Sequence, residues 1–184
     1  MTKFTAELIG DRLIVWDPEE GSQLYKMGYY GKPVGISKPK LLDFNVPLNI
    51  DLIEGLYLLE KGLINVIKSG QKRRLSIRSM KSHAKKVYDD FESHYVVYKD
   101  LRDRGYIVLS GIKFGCEFAV YERGPGIDHA PYLISVRETD ESLTSTDIVR
   151  AGRLATTVRK RFIVAVPDLA ADEHPYIVFK WFKA

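Results

Sequence analysis

A mixed α/β fold in two parts is what this sequence predicts, and three observations carry it. Short runs rich in β-branched and aromatic residues alternate with segments whose apolar residues recur at the 3.6 period, in both halves of the chain. Caps, glycines and prolines punctuate these segments where helices and strands should start and stop. Finally, 184 residues can bury one good core or two small ones, each of under about 100 residues. We read a small N-terminal α/β domain over 1–83 and a C-terminal domain with a mixed sheet over 84–184.

The chain begins as a hairpin, with Phe4 to Ile9 and Arg12 to Trp16 flanking a Gly10-Asp11 turn. A helix should follow, because Asp17 is a good N-cap, Pro18 suits the first helical position, Glu19 and Glu20 complement the dipole and Gly28 can end it. From Gly31 to Pro47, three prolines and two glycines among Lys32, Lys38 and Lys40 read as an irregular basic loop. Loops of that length are often functional, so Lys38 and Lys40 are candidate contacts for a bound polyanion; a passive insertion is the other reading. Asn49 can cap a helix whose Leu52, Ile53, Leu56 and Leu59 share one face and which ends at Gly62. Ile64 to Lys68 and Lys72 to Ile77 then bracket a Ser69-Gly70 turn.

A long helix is predicted over Ser82 to Arg104, with Tyr88, Phe91, Tyr95 and Tyr98 on a packing stripe and Gly105 as its stop. Strands near Tyr106 to Ser110, Glu117 to Glu122 and Tyr132 to Arg137 follow. A helix from Ser145 to Arg161 and strands at Phe162 to Val166 and Tyr176 to Phe182 complete the second half. On that helix Arg150, Arg153, Thr157 and Lys160 share a face.

Composition narrows the classes. Hydrophobic residues at 45% and charged residues at 28% are globular proportions, outside the disordered range. No apolar run is long enough to span a membrane, and Met1-Thr2-Lys3 lacks a signal peptide's apolar core, so a cytoplasmic location is expected. The single cysteine, Cys116, excludes an internal disulfide and a thiolate metal cluster, and no cofactor is implied. The net charge of +4 is modest, but its distribution is not: eight basic and no acidic residues lie between Lys68 and Lys86. A solvated turn and a phosphate-contacting surface remain equal readings of that run.

The stretch from Gly111 to Lys160 contains a phenol, an imidazole and an ammonium at Tyr121, His129 and Lys160. These groups can move protons and steady charge around a phosphodiester without a metal. RNA carries its own nucleophile in the 2′-hydroxyl, so an enzyme need only deprotonate it, protonate the leaving oxygen and stabilise the intervening charge. Among the histidines only His129 follows a glycine-rich loop, Gly124-Pro125-Gly126-Ile127-Asp128. Each residue also has an ordinary reading, as a strand-end tyrosine, a hydrogen-bonded loop histidine and a lysine on a solvated helix face.

The order of motifs resembles the tRNA-splicing endonucleases, in particular the short archaeal subunits. The resemblance runs through Leu56-Tyr57-Leu58-Leu59-Glu60-Lys61-Gly62, the stretch from Tyr98 to Tyr106, the strand to Tyr121, Asp128-His129-Ala130-Pro131, and Arg153 to Lys160. It implies a restriction-endonuclease-like catalytic domain of the tRNA-endonuclease type. It also implies a metal-independent lyase that cuts precursor tRNA at bulge–helix–bulge junctions, leaving a 2′,3′-cyclic phosphate and a 5′-hydroxyl. By the same resemblance Tyr121 is the base, His129 the acid and Lys160 the charge stabiliser, and Arg153 stacks on a flipped-out base. The family's second clamping arginine has no counterpart after Arg161, and Trp181 or Tyr176 stands in that region. A tetramer containing this chain and a homologous non-catalytic subunit is implied, with an acidic loop at Asp168, Asp172 and Glu173 docking on a neighbour. The rivals are a metal-dependent restriction-type DNA nuclease, which needs clustered carboxylates such as Glu117 and Asp128 could begin, and a non-catalytic subunit of the same assembly.

Overall fold

The computed structural model describes residues 3–37, 39, 41–70, 73–127, 130–157, 160–171 and 174–179. They form two compact units, Met1–Phe91 and Glu92–Ala184. Each contains a five-stranded mixed sheet and has its own core.

In the N-terminal unit, β1 (Phe4–Ile9) and β2 (Arg12–Val15) form the expected hairpin. Phe4, Ala6, Leu8, Leu13 and Val15 are buried at the period of two that a half-covered sheet requires. Helix α1 (Pro18–Lys26) starts as anticipated: the Asp17 carboxylate accepts from the backbone N–H of Glu19 at 2.8 Å and of Glu20 at 3.1 Å. Its end differs, since Met27 is the C-cap and the left-handed residue is Tyr29, with φ 57°.

The basic loop is irregular apart from β3 (Lys32–Pro33), which pairs with β4 (Leu48–Asp51). Asn49 therefore lies in a strand rather than capping a helix. Leu48 and Ile50 are fully buried, and that alternation fixes the strand, while Asp51 caps α2 (Leu52–Glu60) by accepting from Ile53 N–H at 2.9 Å. Gly62 follows the helix with φ +69°, the conformation a helix C′ position favours in glycine. Strand β5 (Ile64–Lys68) then pairs parallel with β1, giving the order β3-β4-β2-β1-β5.

Two further expectations are corrected here. The segment read as a strand from Lys72 to Ile77 makes, among its described residues, only a bridge, Ile67 to Arg74, with Leu75 N–H donating to Val66 C=O at 2.8 Å; Ser76 then caps α3 (Ile77–Val87). The single helix read from Ser82 to Arg104 is two, α3 and α4 (Phe91–Asp103). Tyr88 is extended and Asp90 adopts φ 54°, a conformation aspartate tolerates better than most residues. Residue 83, where the N-terminal domain was expected to close, lies inside α3.

In the C-terminal unit Tyr95 and Tyr98 are buried, so the aromatic stripe packs as expected; the Tyr98 ring lies 5.9 Å from that of Phe118. Arg102 is buried beside it, donating to the Tyr98 hydroxyl at 2.9 Å and to Val108 C=O at 3.0 Å. Strands β6 (Ile107–Ser110), β7 (Phe118–Tyr121) and β8 (Tyr132–Val136) form an antiparallel meander. Helix α5 (Ser145–Thr157) crosses over to β9 (Arg161–Ala165), which pairs parallel with β8, and β10 (Tyr176–Val178) adds an edge. Reciprocal bonds between Thr144 and Asp147 fix the start of α5: Thr144 N–H donates to the Asp147 carboxylate at 3.1 Å, and Asp147 N–H donates to the Thr144 hydroxyl at 3.2 Å. Cys116, Ala119, Leu133, Ala151, Phe162 and Val164 form the core between α5 and the sheet. Among the described residues no helix is long and apolar enough to cross a membrane.

Candidate active site

Strand direction determines which side chains can meet. Strand β7 runs antiparallel to β8, so its last residue, Tyr121, lies beside the segment that enters β8. Strands β8 and β9 are parallel, so their entries lie side by side, with Tyr132 opposite Arg161. Tyr121, Ala130 and Lys160 therefore share one end of three adjacent strands. Arg161 N–H donates to Pro131 C=O at 2.8 Å, which closes this end of the ladder.

Lys160 is half-buried, and its ammonium donates to the Ala130 carbonyl. The Phe114 ring centroid lies 5.5 Å from that ammonium and 4.8 Å from the ammonium of Lys113. Phe114 stands in a 3₁₀ turn, Ile112–Phe114, clamped by Gly111 N–H donating to Glu117 C=O at 2.8 Å. A side chain at Gly111 would begin 2.6 Å from the Cys116 sulfur and 2.8 Å from the backbone of Phe118, so only glycine fits. Lys113 and Phe114 were not singled out from the sequence, although Gly111 and Gly115 bracketing them were the available signal of a tight turn.

The expected helical stripe is corrected. Described α5 ends at Thr157, and Lys160 is not helical but leads directly into β9. The ladder bond of the next residue, Arg161, to Pro131 and the ammonium bond of Lys160 to Ala130 hold Lys160 at the entry to the sheet, whereas the sequence spacing alone fitted a helix face. Arg153 is exposed on α5, two residues after buried Ala151 and so turned toward solvent.

His129 and Asp128 lie outside the described residues, as do Lys38, Lys40, Trp181, Asp172 and Glu173. The chain on either side of His129 is described: Ile127 N–H donates to Gly124 C=O at 3.1 Å, and Ala130 is buried in the core beneath the strand ends. Tyr176, the alternative clamp, pairs with Ala165 at the far end of β9 from Lys160. Its hydroxyl donates to Asp100 at 2.6 Å and the Arg104 guanidinium lies 5.6 Å from its ring, so α4 holds it. Burial, followed by that bond to Asp100, pushes the phenol far above its usual pKa.

Other reactive groups are engaged elsewhere. Burial pushes the Cys116 thiol up to about 12, so it is neutral at pH 7 and no nucleophile. Glu117 accepts from Val136 N–H at 2.9 Å, and Asp168 accepts from the N–H groups of Ala170 and Ala171 at 2.9 and 3.1 Å within its own loop. Among the described residues no three His, Cys, Asp or Glu side chains are grouped to hold a metal. A cavity of about 50 Å³ beneath α5 is lined by Gly115, Ser135, Asp147 and Phe162, and by neither Tyr121 nor Lys160. The candidate site therefore lies outside that cavity, at the shared end of β7, β8 and β9.

Comparison with known proteins agrees with this architecture. Residues 4–81 match the tRNA intron endonuclease N-terminal domain, and residues 91–176 match the tRNA intron endonuclease catalytic C-terminal domain. The chain is 47% identical to a tRNA-splicing endonuclease of Hyperthermus butylicus over 178 residues, covering 97% of this chain and 98% of the relative. Tyr121, Ala130 and Lys160 all lie within the span matched to the catalytic domain. Relatives of the same name from Sulfurisphaera tokodaii and Saccharolobus solfataricus are each 42% identical, covering 96% and 97% of this chain and 98% of their own length. With both halves matched in order and relatives aligned end to end, the chain belongs to the tRNA intron endonuclease family.

Proposed function

We propose that this chain is a catalytic subunit that cleaves precursor tRNA at bulge–helix–bulge exon–intron junctions, as a metal-independent lyase leaving 2′,3′-cyclic phosphate and 5′-hydroxyl ends. The observation that carries the reading is that Tyr121, Lys160 and the segment directly after His129 lie at the same end of three adjacent strands, with Lys160 bound to Ala130. In the proposed mechanism Tyr121 takes the 2′ proton, His129 gives one to the departing 5′ oxygen, and Lys160 stabilises the charge on the pentacoordinate phosphate. An ammonium whose direction is set by a carbonyl is already oriented before charge develops, which is how an electrostatic catalyst gains over water.

A phenol of ordinary pKa, about 10, is a poor base at pH 7 unless a cation close to it favours the ionised form, and in this proposal that part falls to Lys160. Arg153, exposed on α5, is proposed to stack on a base of the bulge, and Trp181, Lys38 and Lys40 to contribute further RNA contacts. The partners proposed are precursor tRNA and, in a tetramer, further copies with a homologous non-catalytic subunit; two cut sites in one substrate call for two catalytic chains.

The test is cleavage of a bulge–helix–bulge RNA in excess EDTA, by the chain alone and with its partner subunit, followed by analysis of the ends. Cutting at the bulges with cyclic phosphate ends is expected. Loss of cutting on chelation, restored by magnesium, sinks the mechanism.

A further inference from the structure

The N-terminal unit carries a cationic surface that the cleavage chemistry does not use. No acidic residue occurs between Glu60 and Asp89. Within that stretch Lys68 ends β5, the Ile67–Arg74 bridge folds Arg73 and Arg74 back beside it, and Arg78 lies in the first turn of α3. Lys68, Arg73, Arg74, Arg78 and Lys86 are all exposed. Ion pairs in this unit, such as Arg12 with Asp51 and Lys26 with Asp43, lie elsewhere; among the described residues no carboxylate is paired with any of these five.

The arginines of this group add nothing to the buried face of α3. Met80 and Ala84 supply the buried face of α3, and the arginines lie off it. Arg78 stands at the end of the helix where the backbone dipole disfavours a cation, and Arg73 and Arg74 repel it and each other. Lys85 and Lys86, in the last turn, do suit the dipole, so the unexplained charge is the arginine group. Like charges gathered at a cost to the fold are offset by a polyanion, and guanidinium forks match phosphate oxygens.

We propose that Lys68, Arg73, Arg74 and Arg78, gathered where β5 ends and α3 begins, bind backbone phosphates of helical RNA, a contact separate from the groups proposed to act on the phosphodiester that is cut. This rests on the reading that the substrate is a precursor tRNA, and it adds a contact from a unit outside the catalytic domain. Contacts of this kind position RNA without reading its sequence.

The experiment compares the full chain with the triple variant Arg73→Gln, Arg74→Gln, Arg78→Gln, in the presence of its partner subunit where that is needed for activity. Affinity for an intron-containing precursor is measured across a salt series, with single-turnover cleavage at saturating protein. Expected are a loss of affinity of about 10-fold or more and a log affinity versus log salt slope shallower by about 2 to 3, with the saturated cleavage rate unchanged. A triple Arg→Lys variant should keep most of the slope, because it keeps the charge. Should the glutamine triple fail to fold, Arg74→Gln alone should lower the slope by about 1. Unchanged affinity and slope overturn the proposal, as does polyglutamate competing as well as duplex RNA, which would mark a surface for acidic proteins. If the wild type binds the precursor with a salt slope that the variant loses, yet neither cuts it, the cleavage reading fails and this one stands.

Discussion

Lys160 and Arg74 are both cations beside a sheet, and they are held in different ways. The ammonium of Lys160 is bound by the Ala130 carbonyl and borders the Phe114 ring, on a residue whose neighbour is locked into a ladder. Arg74 is fixed only through its backbone, at a single bridge, and its guanidinium stands in solvent. One arrangement suits a group that must meet a transition state at a defined place; the other suits a group that must only lie near a phosphate. The difference teaches that charge alone does not mark a catalytic cation: the restraints around it do.

That contrast can be broken most directly at the strand edge. Lys160→Ala and His129→Ala should each slow single-turnover cleavage by about 10²-fold or more, with RNA affinity nearly unchanged, because the roles proposed for them lie in the transition state. If Lys160→Ala instead weakens binding and spares the saturated rate, Lys160 is a phosphate contact of the same kind as Arg74.

Tyr121→Phe removes one hydroxyl and keeps the ring that packs on the core cluster. Melting temperature should scarcely move, while the rate at neutral pH should fall by roughly 10²-fold. The sign of the pH dependence follows from the chemistry: hydroxide takes over the 2′ proton as pH rises, so the deficit should shrink at high pH. A variant whose rate profile overlays the wild type shows a structural tyrosine.

Phe114→Leu sharpens the comparison at smaller scale. It removes the aromatic face shared by Lys113 and Lys160 but leaves the Ala130 bond. A cation–π contact of about 0.5 to 2 kcal/mol predicts a rate loss of roughly 2- to 30-fold, largely restored by Phe114→Tyr. No change in rate, with stability intact, places the restraint entirely in the carbonyl.

Local chemistry was the most readable part of the sequence. Asp17, Pro18 and Gly62 announce helix ends because capping involves only neighbouring residues. What could not be read depends on partners distant in sequence. Asn49 looked like a cap until β2 and β3 claimed its strand, and the helical spacing of Arg153 to Lys160 hid the entry to β9. The aromatic spacing of Tyr88, Phe91, Tyr95 and Tyr98 ran unbroken across a point where Asp90 turns the chain. At the candidate site, chain order gave Tyr121 and Lys160, but the neighbours that orient Lys160 were visible only in the ladder.

Strands β8 and β9 are parallel, so the chain must travel through all of α5 before Lys160 can reach Ala130, 30 residues behind it. The strand ends that carry the proposed chemistry come together only once β9 has paired with β8. Non-local pairing of this kind is the slow part of assembling a domain, since loop closure precedes the contacts that reward it. On the proposed mechanism, the pairing of β8 with β9 must precede any cleavage.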